Sequence, residues 1–156
     1  MRHGHAEAAS GRGADMQRAL LPEGRTAASE AGARLAAAGL EPDYVLCSAA
    51  QRARETWTAL QPALTKQPTV ELDRTLYGAG VDETFTLVSE TPATVETLLL
   101  IGHNPTVAQL AGTFPAQTSP DSGARIPDFL PASLALVELE VPWSHASPGT
   151  GTMRLL

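Results

Sequence analysis

Cysteine is all but missing from this chain, and its one thiol, Cys47, rules out an internal disulfide. Lysine is equally scarce. Of 11 basic residues only Lys66 is not an arginine, a bias that a high-GC bacterial genome produces, although arginine also grips oxyanions better than lysine does. An excess of positive charge is absent too: 11 basic against 17 acidic residues leave a net charge of −6. With no basic run anywhere, nucleic acid and anionic membrane surfaces are poor candidates for partners. No apolar run approaches the roughly 20 residues of a membrane span, and no charged-then-apolar signal segment leads the chain. These absences predict a soluble, cytoplasmic protein. What is present is 156 residues of 43% hydrophobic content, enough for one globular domain with a core. No change of composition divides them, so a single domain over 1–156 is expected.

Helical and strand-like pieces alternate along the chain. Residues 22–38, PEGRTAASEAGARLAAA, carry Pro22 in the first turn and Gly39 just past the end, the usual asymmetry of helix boundaries. Tyr44 to Cys47 reads as a short strand, and Ser48-Ala-Ala-Gln51 as a capping box opening a second helix toward Pro62. The pattern repeats at Thr97 to Ile101, an apolar strand followed by Gly102-His103, with Asn104 as N-cap and Pro105 at the first helical position of a helix toward Gly112. Leu134 to Val141 suits a further strand, Val70 to Leu72 a short one, and Asp82 to Ser89 a short helix; residues 115–128, rich in Pro, Ser, Gly and Asp, read as a loop. Alternation of this kind predicts an α/β fold, a three-layer sandwich with a mostly parallel central sheet flanked by helices, whose ligands bind at the carboxyl ends of the strands.

Two segments fall on that edge, Ser48 to Arg52 and Gly102 to Asn104. Helix N-termini there present unpaired N–H groups and a positive dipole end, which suits an anion such as phosphate. Arg52 lies in the first turn of its helix; Arg54, roughly 200° around the same helix, points elsewhere and reads as a solvated charge. His103, directly after a buried strand, is held where an anion would sit. His145, in the tail WSHASPG, reads as an ordinary surface group. His3 and His5 could suggest a metal pair, but His-x-His lacks the further ligands and spacing of a zinc site, so no metal and no cofactor is expected. Trp57, Leu60, Leu35 and Cys47 read as core positions.

Three stretches together, MRHGHAE, CSAAQRARET and LLLIGHNP, resemble the three signature segments of the histidine phosphatase superfamily, branch 1, which has the phosphoglycerate mutase-like fold. QRALLPEGR is similar to that family's entry to its first helix, and ASLALVELEVPW to its closing strand, so the resemblance spans nearly the whole chain. The short length and the LYGAG-VDETFTLV segment without a large insertion look most like the SixA-type phosphohistidine phosphatases. Residue by residue, the resemblance makes His3 the nucleophile, Arg2, Arg52 and a cationic His103 the phosphate pocket, and adds Gly4 and Asn104 to the phosphate-binding set. It implies a metal-independent phosphatase acting through a covalent phosphohistidine. The substrate would be a phosphorylated protein or small phosphorylated molecule, and inorganic phosphate a product. A second reading keeps the fold but not turnover: a silent relative that binds phosphorylated ligands or a protein partner.

The chain also departs from the family pattern. No glutamate general acid can be placed; Asp73, Asp82 and Glu83 are no more than candidates. A phosphoramidate leaves more easily than an alkoxide, so the missing acid favours phosphohistidine or another activated phosphate. Leu21 stands where the family has a threonine, which removes an N-cap worth about 1 kcal/mol. His5 falls at a variable position on the pocket rim. Finally, an apolar strand leads into the RHG motif in the family, whereas here Met1 stands directly before it. The expectation is that the first strand is missing, that Met1 is an internal residue of a longer natural protein, and that roughly five to eight Val-, Leu- and Ile-rich residues precede it.

Overall fold

The central strand explains itself. Tyr44–Ser48 (β1) is a continuous run whose Val45, Leu46, Cys47 and Ser48 are all buried, as a parallel strand covered on both faces requires. In this computed structural model, which describes residues 1–9, 14–115 and 129–156, β1 lies between Thr69–Asp73 (β2) and Leu98–Ile101 (β3). Both neighbours run parallel to it, with Val45 opposite Val70 and Leu99. β2 is the edge strand, and its Val70 and Leu72 stay exposed.

Helix α1 (Pro22–Ala37) starts on Pro22 and is closed by Gly39, whose φ of +69° suits a residue without a side chain. Leu21 occupies its N-cap without a side-chain bond, as the loss of threonine predicted. Two glycines inside the helix, Gly24 and Gly32, each cost roughly 1 kcal/mol against alanine. They are notches for other backbone: a Cβ on Gly24 would come 2.1 Å from His5 O, and one on Gly32 2.4 Å from Leu60 O. Leu60 ends helix α2 (Gln51–Leu60), so α1 packs main chain to main chain on α2 and on the turn after His3. Leu35, Cys47, Trp57 and Leu60 join Val45, Leu99 and Ile101 in one core cluster, as expected from the sequence. Full burial of a side chain such as Leu60 contributes roughly 1.5–3 kcal/mol.

Val81–Ser89 (α3) and Thr106–Thr113 (α4) follow β2 and β3 respectively, and Ala135–Leu139 (β4) pairs antiparallel with Gly151–Leu155 (β5) in a separate ribbon. β5 has no counterpart in the sequence reading, which stopped at the Pro- and Gly-rich tail. The loop expected over residues 115–128 lies, beyond Pro115, outside the described residues. Both proposed helix caps need correction. Gln51 reaches forward to Glu55, not back to Ser48, so the capping box does not form and Ala50 is the N-cap. Asn104 donates its side-chain amide to Phe129 O, and α4 begins after Pro105 with no side-chain cap.

Residues 1–3 are threaded between β3 and the segment entering β4. The Met1 amine donates to Leu100 O (2.8 Å), Gly102 N to Met1 O and His3 N to Gly102 O (both 3.1 Å), while on the other side Arg2 N donates to Ser133 O and Ala132 N to His3 O (both 3.1 Å). Met1 abuts an apolar groove of about 620 Å³, walled by Leu99, Leu134, Leu136, Phe114 and Trp143. Burial pushes the Met1 amine down to about 5, so it is neutral at pH 7. Among the described residues no helix is long and apolar enough to cross a membrane.

Candidate active site

The carboxyl ends of β1 and β3 and the turn at residues 2–5 converge, and they bring His3, Arg52 and His103 together. The two imidazole rings lie 5.0 Å apart. His3 Nδ1 is 2.7 Å from Gly4 O; a carbonyl can only accept, so Nδ1 carries the proton and Nε2 keeps its lone pair. Arg52 Nε donates to that Nε2 at 3.2 Å. Burial, with smaller contributions from Arg52 and Arg2, pushes His3 down to about 4, against a raising effect of its bond to Gly4 O. A neutral imidazole whose Nε2 carries no proton is what a nucleophile needs.

Ser48, Arg52 and Thr56 stand four residues apart, which carries the end of β1 and one stripe of α2 onto a common face. All three are buried. Ser48 Oγ lies 2.7 Å from His103 Nε2. Ser48 Oγ also accepts from Ala50 N (3.4 Å), so this hydroxyl ties the His103 ring to the start of α2. Thr56 Oγ1 accepts from Gly4 N (2.9 Å) and donates to Arg52 O (2.6 Å), so one hydroxyl joins the His3 turn to the helix of Arg52.

Arg2 donates Nη1 to Phe129 O (2.9 Å), the carbonyl that also receives Asn104. Among the described residues, its Nε and the Nδ1 of His103 are buried without a hydrogen-bond partner. A buried guanidinium N–H left unmet beside His3 suits an oxyanion. Around Arg52 a third element closes in: the 3₁₀ turn Asp15–Gln17 presents Asp15, whose Oδ2 accepts from Arg52 Nη2 (3.1 Å) and Tyr77 OH (2.6 Å), whose Oδ1 accepts from Arg18 Nη1 (2.9 Å), and whose carbonyl accepts from Arg52 Nη1 (2.7 Å). Tyr77 and Arg18 hold this carboxyl well below the usual carboxylate range.

Several expectations about single residues change. His103 is pushed down to about 3 by burial and then by Arg52 and His3; a phosphate dianion beside it would act in the opposite direction, toward the cationic form expected of it. The Gly4 N–H, expected in the phosphate cradle, is given to Thr56, and the Asn104 side chain to Phe129; both serve the frame of the site. Arg54 is exposed, as is His145, and His5 meets Glu23 at 3.3 Å on the rim. Of the candidate acids, Asp82 and Glu83 are exposed in the first turn of α3, and Asp73 caps the turn at Thr75 and Leu76. Cys47 is enclosed and its thiol pushed up to about 12 by burial, so it is inert. Sequence reasoning missed Asp15, Tyr77, Ser48 and Thr56. The last two were visible in the four-residue spacing around Arg52; the first two meet the site only through long-range contacts.

The model of the histidine phosphatase superfamily (branch 1) matches residues 1–104. An uncharacterized protein of Mycobacterium tuberculosis is 33% identical over 153 residues, covering 96% of this chain and 94% of its own. A candidate phosphohistidine phosphatase SixA from Nakamurella multipartitia superimposes with a TM-score of 0.88 at 30% identity, over 99% of this chain and 91% of the other. The protein histidine phosphatase SixA complexed with tungstate does so with a TM-score of 0.75 at 26% identity, over 99% and 91%. With two thirds of its length under the family model, including the turn that bears His3, the helix that bears Arg52 and the strand end that bears His103, the chain belongs to branch 1 of the histidine phosphatase superfamily.

Proposed function

We propose that this protein is a metal-independent phosphatase that works through a phosphohistidine on His3, with a phosphohistidine protein or a small phosphorylated molecule as substrate. The observation that carries the reading is the His3 imidazole itself, with Nδ1–H fixed on Gly4 O and Nε2 directed at Arg52 Nε, 3.2 Å away. Nε2 attacks phosphorus while the Arg52 and Arg2 guanidiniums take phosphoryl oxygens, and the His103 N–H adds a third donor. Charge spreads over those oxygens as the bond to the leaving group stretches, and preorganised donors stabilise it. Water then attacks the phosphoenzyme, the P–Nε2 bond breaks, and inorganic phosphate departs. Positioning and electrostatics from these side chains are sufficient for such a transfer, so no step calls for a metal ion. The SixA neighbours, one of them complexed with tungstate, an oxyanion, support the substrate class.

Steady-state hydrolysis of an activated aryl phosphate tests the reading and separates it from a silent binder. His3→Ala abolishes turnover with the fold retained, and Arg52→Ala slows it on the order of 10² to 10³, the usual cost of one preorganised oxyanion donor. The trapped phosphoenzyme is labile in acid and stable in alkali. Wild-type rates in His3→Ala, or an acid-stable intermediate, refute the mechanism.

A further inference from the structure

A carboxylate against the arginine of a phosphate pocket needs an explanation. Asp15 Oδ2 shares the Arg52 side chain with His3 Nε2, and its side chain is 37% exposed where that of Arg52 is 6% exposed, so Asp15 is the solvent-facing member of the pair. A fixed negative charge there opposes a dianion on Coulombic grounds alone. It equally opposes a leaving group that departs as alkoxide or phenoxide. Glu55, the acidic side chain on the same helix as Arg52, does not share this position, because it is bonded to Leu20 N, Gln51 and Arg25.

One class of leaving group gains from such a charge. In a phosphoimidazole the ring is cationic when its remote nitrogen is protonated. When the P–N bond breaks, the electron pair stays on the departing nitrogen and the ring leaves as neutral imidazole, with no proton required at the reacting atom. An acceptor on the remote N–H favours that protonated form, and a carboxylate adds attraction for the cation. His3 has the same arrangement in reverse: Gly4 O holds its remote Nδ1–H at 2.7 Å, so Nε2 can attack and later depart as part of a neutral ring.

Resting on the phosphatase reading above, we propose that Asp15 is the specificity-determining residue that selects imidazole leaving groups, by accepting the remote N–H of the substrate's phosphorylated ring. When phosphoryl oxygens take over the Arg52 fork, Arg18 and Tyr77 keep the carboxylate at the mouth. The balance is complete. His3 Nε2 bonds to phosphorus, the substrate P–N bond breaks with its pair retained on nitrogen, the remote proton leaves with the ring, and Asp15 stays ionised throughout. In the second step a water oxygen bonds to phosphorus, P–Nε2 breaks, and the water proton passes to phosphate or solvent.

The test compares kcat/KM for phosphoimidazole and for p-nitrophenyl phosphate in wild type, Asp15→Asn and Asp15→Glu. The ratio of the two constants falls about 10- to 100-fold in Asp15→Asn, the range for a lost hydrogen bond to a charged group, and Asp15→Glu restores most of it. If Asp15→Asn changes both substrates by the same factor, Asp15 only orients Arg52 and the proposal is wrong, with the phosphatase reading intact. A wild-type protein inert on both substrates overturns the phosphatase reading, and this proposal with it.

Discussion

Replacing Thr56 by valine removes one hydroxyl and keeps the shape, which isolates its role as the link between the His3 turn and α2. Thr56 is fully buried, so no water replaces the lost partner. Arg52 O keeps its intrahelical bond, but Gly4 N–H, now 2.9 Å from a hydroxyl, would face a methyl group. An orphaned buried donor costs about 1–3 kcal/mol, and at about 2–4 °C per kcal/mol for a chain of this size the melting temperature falls roughly 2 to 12 °C. Turnover should suffer separately, because a displacement on the order of 1 Å at the nucleophile costs about 10²-fold in rate. Thr56 does not face the substrate, so kcat falls and KM holds. Thr56→Ser supplies the control: it loses a methyl group, about 1 kcal/mol by burial, yet keeps the hydroxyl and hence kcat. Urea titrations and steady-state kinetics on the pair decide the matter. Wild-type kcat in Thr56→Val refutes the claim that this hydroxyl aims His3.

Stability should rise with pH up to about 6.5, because burial depresses His3 to about 4 and His103 to about 3 in the fold while the unfolded chain still binds those protons; a urea midpoint that falls as pH rises over this range contradicts the burial of the two rings. Chelators should leave turnover unchanged while vanadate or tungstate inhibits; activity lost on chelation and restored by a divalent ion would instead require a metal.

What the sequence disclosed was mostly what short-range physics writes into it. Pro22 and Gly39 bracket α1 because helix ends are local events, and the buried runs at Val45 and Leu99 mark strands because a parallel sheet is apolar on both faces. His3, Arg52 and His103 were legible through motifs. Asp15 was not, since its partners Arg52 and Tyr77 are 37 and 62 residues away and nothing periodic relates them. Ser48 was misread for a related reason: a capping box and a hydrogen bond to His103 begin from the same residue, and only the fold chooses between them. β5 was passed over because Gly-Thr-Met-Arg-Leu follows a run of turn formers and acquires its strand partner only from β4.

The two glycine notches of α1 have a bearing on how the site responds to heat. Gly24 seats the turn behind His3 and Gly32 seats the last turn of α2, so a single helix sets the spacing between nucleophile and arginine as the body of a caliper sets its jaws. Warming the protein should therefore not loosen the pair gradually: below the melting transition the rate should climb along one smooth Arrhenius line, and it should collapse only where α1 itself gives way.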